Sequence, residues 1–157
     1  AWEGYLAPIP EEEQDDLVSA YYKRLTSDDA QTRQTAAKAW SIWEASTSKL
    51  VPDPDLMTRF GEGSFADAFA RIECHYFTNG GFFSNPNQLI ENIEAIRHIP
   101  AVIVQGRYDV VCPMTSAWEL HQAWPEADFF IIAEAGHSAT EPGIIDALIT
   151  ATDSFAR

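Results

Sequence analysis

Apolar side chains recur at helical spacing up to about residue 96 and gather into short unbroken runs after it. Between Glu11 and Leu25, the positions Leu17, Val18, Tyr21, Tyr22 and Leu25 fall on one helical face. Acids open this stretch and Lys23 and Arg24 close it, an order that complements the helix dipole and predicts an amphipathic helix. Ser27 is the predicted N-cap of a second helix to about Ser48, with Asp28 and Asp29 in its first turn and Ala36, Trp40 and Trp43 on its apolar face. Pro52 and Pro54 then break the chain. Ser64 and Asp67 have the spacing of a capping box, opening a helix through Phe77 with a stripe of Phe65, Phe69, Ile72 and Tyr76. Asn79-Gly80-Gly81 ends it, and Asn85-Pro86 restarts a helix with Leu89, Ile93 and Ile96 on one face.

After Pro100 the period changes. Ala101 to Gln105 is a β-branched run closed by Gly106, Pro113 opens a helix through Ala123, and Asp128 to Ile132 is a second apolar run. A final helix is predicted from Pro142 to about Phe155. Strands buried on both faces and alternating with helices predict an α/β fold with a parallel sheet. The expected organisation is a helical segment over residues 1–95 and an α/β segment over residues 96–157. Two strands do not make a buried sheet alone, so the second segment reads as the edge of a larger one.

Composition narrows the classes of function. The chain has 157 residues, 46% of them hydrophobic, enough for a real core and too apolar for intrinsic disorder. With 10 basic against 24 acidic side chains, it lacks the basic footprint that nucleic acid requires. No apolar run approaches the length of a membrane helix, and no basic segment followed by an apolar stretch marks a secretory signal, although a start at Ala1 leaves room for a removed leader. Cys74 and Cys112 stand far apart without metal-ligand spacing, which favours a reducing, cytoplasmic setting and leaves a disulfide between them open.

Two residues on successive strand ends carry candidate chemistry. Asp109 lies in Gly106-Arg-Tyr-Asp109-Val-Val-Cys-Pro113, and His137 lies in Gly136-His137-Ser138. Ligands and catalytic groups of open α/β sheets gather at the carboxyl ends of strands. A carboxylate beside an imidazole fixes its tautomer and stabilises its protonated form, which makes a general base. Singly, each also fits a loop-capping aspartate or a surface histidine; as a pair, they favour the catalytic reading.

Asp followed by His after two late strands resembles the C-terminal part of an α/β-hydrolase, with triad order Ser, Asp, His. The chain more closely resembles the prolyl aminopeptidase (proline iminopeptidase) family throughout. The resemblance rests on Trp40-Ser-Ile-Trp43-Glu44, Ala70-Arg-Ile-Glu73-Cys-His-Tyr-Phe77, Ile96-Arg-His-Ile-Pro100-Ala-Val-Ile-Val104, Ala123-Trp-Pro-Glu126-Ala and the two loops above. It implies a serine peptidase that releases N-terminal proline from peptides by acyl transfer, without metal or organic cofactor. Residues 1–95 would form most of a helical cap and the remainder the last strands of the hydrolase sheet. Asp109 and His137 would be the triad acid and base, and Glu44 and Glu73 the carboxylates that hold the substrate's charged amino terminus.

The residues themselves bear on the last point. Glu44 follows Trp40 by four and Glu73 follows Phe69 by four, so each shares a helix face with an aromatic ring. A carboxylate on an apolar stripe needs a partner, and a substrate ammonium would supply one. Lys38, Lys49 or Arg71 are the alternative partners. Trp2, Trp118 and Trp124 read as packing residues, and His75, His98 and His121 as structural or exposed.

No Gly-x-Ser-x-Gly occurs; Gly63-Ser64 lacks the frame and the preceding strand. The chain therefore reads as a C-terminal fragment that holds an acid and a base but no nucleophile, inactive alone. Its expected associations are pairing with the missing N-terminal half or self-association through an open sheet edge. Two alternatives are a non-catalytic helical binding module and a cap-bearing hydrolase of neutral esters or amides, the latter having no use for Glu44 and Glu73.

Overall fold

The computed structural model describes residues 1–156, which divide into two compact units. The first comprises residues 1–46 and 53–83 and is wholly helical. Its helices are α1 (Trp2–Leu6), α2 (Leu17–Leu25), α3 (Ala30–Thr47, whose last residue joins the second unit), α4 (Pro54–Phe60) and α5 (Gly63–Thr78). Tyr21, Leu25, Trp40 and Cys74 fill its core beside Tyr5 and Ile9, and Ala36, Ala37, Ala66 and Ala70 lie buried among them. These alanines put little bulk between helix backbones, so a few large side chains occupy the remaining space.

Local signals shift several expected boundaries. The acids of the first predicted helix form a 3₁₀ segment, Glu11–Asp16, and α2 begins only where the Asp16 side chain accepts from the Ser19 amide. Ser27 does not cap α3 directly: its hydroxyl accepts from the Asp29 amide, and the Asp29 carboxylate accepts from Thr32 at 2.7 Å. Asp, acceptor-only when ionised, takes the capping position from the hydroxyl. The capping box does not form either, because Ser64 lies inside α5, whose N-cap is Glu62. Pro54 starts a helix rather than only breaking one, with Asp53 accepting from Leu56 as its cap. The segment after Asn79 takes positive φ at Gly80, Gly81 and Phe82 and ends α5 as expected.

The second unit comprises residues 47–52 and 84–156 of the described chain. The helix expected after Asn85-Pro86 is reduced to α6 (Gln88–Glu91) and a 3₁₀ turn, Ile93–Ala95. Only Ile93 of its predicted apolar face is buried; Leu89 and Ile96 are exposed. Strand β1 (Val102–Gly106) leads through α7 (Met114–Ala123) to β2 (Asp128–Ile132), and α8 (Pro142–Phe155) follows. The strands pair in parallel from Val102 opposite Asp128 to Gly106 opposite Ile132, with α7 as the crossover. The expected α/β class is therefore observed. Trp124 and Ala127 pack with Ile93, Ile103 and Leu120, and the Trp124 indole donates to the Arg97 carbonyl at 3.2 Å. Phe130 of β2 is 51% exposed and Ile145, Leu148 and Ile149 of α8 are also exposed, so the apolar faces of these elements are incompletely covered. No helix among the described residues is long and apolar enough to cross a membrane.

Candidate active site

The two strand-end loops of the second unit meet because Gly106 allows it. Pairing continues past the strands, with the Arg107 amide donating to Ile132 and the Tyr108 amide to Ala135, both at 3.0 Å. A Cβ on Gly106 would lie 1.9 Å from the Gly136 carbonyl oxygen, a distance no side chain tolerates. Glycine at 106 is thus a condition for the loops bearing Asp109 and His137 to touch.

Touching, they form an acid–imidazole pair. His137 Nδ1 lies 3.1 Å from Asp109 Oδ2. The other carboxylate oxygen accepts from the amides of Val111 at 3.0 Å and Cys112 at 2.7 Å, which turn Oδ2 toward the ring. Gln105, buried at the end of β1, donates its amide to the Gly106 and Cys112 carbonyls at 3.1 Å and ties the loop closed. The Asp109 side chain is 7% exposed and that of His137 is 39% exposed. Such a pairing places the shared proton on Nδ1 and leaves Nε2 as the basic nitrogen. The His137 loop is also held by its backbone: the amides of His137 and Ser138 donate to the Ser48 carbonyl at 3.0 and 2.7 Å.

Glu44 and Glu73 lie in the first unit, on α3 and α5, both half-buried. Glu73 accepts from the Trp40 indole at 2.7 Å. Its aromatic neighbour is thus on α3 rather than Phe69 of its own helix, which packs on Phe60 and Phe65 instead. Of the alternative cationic partners, Arg71 reaches Asp67 at 3.5 Å. Burial pushes the Tyr5 hydroxyl well above the usual phenol range, and the fields of Glu44, the Cys74 thiol and Glu73 add to that. Both carboxylates therefore act on one side chain, and Tyr5 stacks on Trp43 at 5.3 Å while Trp2 meets Trp43 edge-on at 5.2 Å. Sequence patterning missed Tyr5 and treated Trp2 as packing; Trp2 is exposed despite its ring contacts. Trp124 is core as expected, and Trp118 is half exposed.

Cys74 is buried and Cys112 exposed, and the two are not joined in a disulfide. Burial, reinforced by Glu73, raises the Cys74 thiol to about 11. Among the described residues, no cluster of three or more His, Cys, Asp or Glu is placed to hold a metal ion. Gln105 and Ser48 also escaped the sequence reading; a lone polar residue in an apolar run was the signal for Gln105, whereas a backbone carbonyl leaves none.

No protein-family model matches the chain. It is 64% identical over 155 residues to a probable proline iminopeptidase of Leptolyngbya boryana, covering 99% of this chain and 48% of that protein. The proline iminopeptidase of Xanthomonas citri is 58% identical over 156 residues, 99% of this chain and 50% of that protein. That of Arabidopsis thaliana is 51% identical over 156 residues, 99% of this chain and 41% of that protein. The chain spans about half the length of the curated relatives it matches.

Proposed function

From this chain's homology to the proline iminopeptidases over nearly its whole length, we propose that it supplies the acid, the base and the amino-terminus-binding carboxylates of a serine aminopeptidase. The observation that carries the reading is the contact between the buried Asp109 carboxylate and the exposed His137 imidazole. In the intact enzyme, Nε2 of His137 takes the proton of a serine hydroxyl as that oxygen attacks the carbonyl of an N-terminal proline. The imidazolium then protonates the leaving amine, and the same nitrogen activates water to release proline from the acyl-enzyme. Asp109 holds the tautomer and stabilises the imidazolium without itself taking the proton.

Specificity in this reading rests on charge. Glu44 and Glu73 neutralise the substrate's secondary ammonium, which orients its carbonyl for attack. The serine and its oxyanion-hole donors belong to polypeptide outside this sequence. This chain alone is accordingly inactive, since those groups provide most of the acceleration. No step calls for a metal or an organic cofactor.

The test is hydrolysis of a proline-arylamide by this chain alone and after mixing with the N-terminal half of the enzyme. The expected result is no turnover alone, recovery on mixing, and loss of the recovered activity in His137→Ala. Turnover by the 157 residues alone, or activity that survives His137→Ala, overturns the reading.

A further inference from the structure

Glu141 is a buried carboxylate that the catalytic scheme does not use. It occupies the N-cap of α8, where an acidic side chain ordinarily accepts from an amide of the first helical turn. Here it makes no such bond. One oxygen accepts from the Gly136 amide at 2.6 Å, and the other accepts from the Leu50 amide at 3.4 Å. Only 7% of the residue is exposed. Two backbone amides thus converge on this buried carboxyl group at the N-terminus of α8.

Gly136 immediately precedes His137, and it is confined on two sides. Its carbonyl oxygen abuts Gly106, while a Cβ on it would lie 2.9 Å from the Leu50 amide nitrogen and 3.1 Å from the Glu141 carboxylate. The 47–52 segment that Glu141 engages through Leu50 also provides the Ser48 carbonyl that receives the His137 and Ser138 amides. Three consecutive amides, Gly136 to Ser138, are therefore fixed by Glu141 and by the segment that it holds. We propose that Glu141 is a positioning residue for His137, setting the backbone from which the imidazole reaches Asp109. The proposal rests on the catalytic reading of His137 given above.

The experiment compares Glu141→Gln and Glu141→Asp with wild type in the intact enzyme that carries this sequence. Gln keeps one accepting oxygen and turns an NH2 toward an amide, whereas Asp keeps the charge and retracts it by one methylene. Both should lower kcat for a proline-arylamide by about 10-fold to 100-fold with KM unchanged, the range for a misplaced catalytic group. Both should also shift or abolish the downfield proton NMR resonance of the His137 Nδ1 proton, which a loss of stability alone does not do. Wild-type kcat and an unmoved resonance in either folded variant overturn the proposal. If His137→Ala also leaves activity intact, the catalytic reading fails; if His137→Ala is dead while the Glu141 variants are normal, only the positioning role fails.

Discussion

At the scale of single residues, the two cysteines separate by environment. Cys74 has no exposure and its thiol lies at about 11 rather than the ordinary 9.0. The folded chain therefore holds this proton more tightly than the unfolded chain. The associated stability is complete below pH 9 and is lost as pH rises through 11. The difference corresponds to about 2–3 kcal/mol. Urea unfolding of wild type and Cys74→Ala between pH 9 and 11 should show a steeper loss in wild type; parallel curves would refute it. Burial is the main cause of the raised Tyr5 and Tyr21 titrations and is common to both proteins, so that part cancels; Cys74→Ala removes only the smaller Cys74 field on Tyr5. Asp109 and His137 can be singled out in sequence because each follows a strand-like run, whereas Glu44 and Glu73 stand out from other helical carboxylates only through the family resemblance. Tyr5, Gln105 and Glu141 stand out in neither way. Their partners are more than ten residues away or are backbone groups, and neither kind of partner is encoded by spacing along a helix or strand.

At the scale of elements, the strands and the last two helices match their patterning closely, since β-branched runs and Pro-led helix starts leave few alternatives. The misplacements are at helix starts. Several Asp, Ser and Glu residues compete for the same orphan amides there, and the winner depends on backbone angles that composition does not specify. The absence of a long helix between Asn85 and Ile96 has a similar source: Asn85 and Gln88 side chains satisfy the local amides of Asn87 and Ser84, which favours turns over continuous helix. A sharper expectation attaches to the strand ends. Gly106→Ala must separate the two loops, because its Cβ meets the Gly136 and Ala135 carbonyl oxygens. We expect it to lower stability by about 1–3 kcal/mol in thermal or urea unfolding and to eliminate the His137–Asp109 proton resonance. A variant with native stability and the resonance in place would mean that the loops part without cost.

At the scale of the whole molecule, the apolar surface of β2 and α8 matters most. Phe130, Ile131, Ile145, Leu148 and Ile149 are exposed, and the described residues form a sheet of two strands. Open strand edges flanked by apolar faces invite pairing with another chain. The isolated chain should therefore sediment as a dimer or larger species at micromolar concentration, and addition of the N-terminal half should replace that species with a one-to-one complex. A monomer by sedimentation velocity would show that these faces tolerate water.

The route of the backbone has a consequence for protein engineering. Residues 47–52 belong to the second unit although the residues on either side of them, 1–46 and 53–83, belong to the first. This strap provides the Ser48 carbonyl and Leu50 amide that engage the His137 loop. Grafting a different helical segment onto this scaffold by exchanging residues 1–83 as one cassette would carry the strap away and leave the amides of His137 and Ser138 without their acceptor. A recombination library that cuts instead at 46/47 and 52/53 keeps the strap with the scaffold, so crossover points chosen from the linear order of segments would select against the chimaeras most able to work.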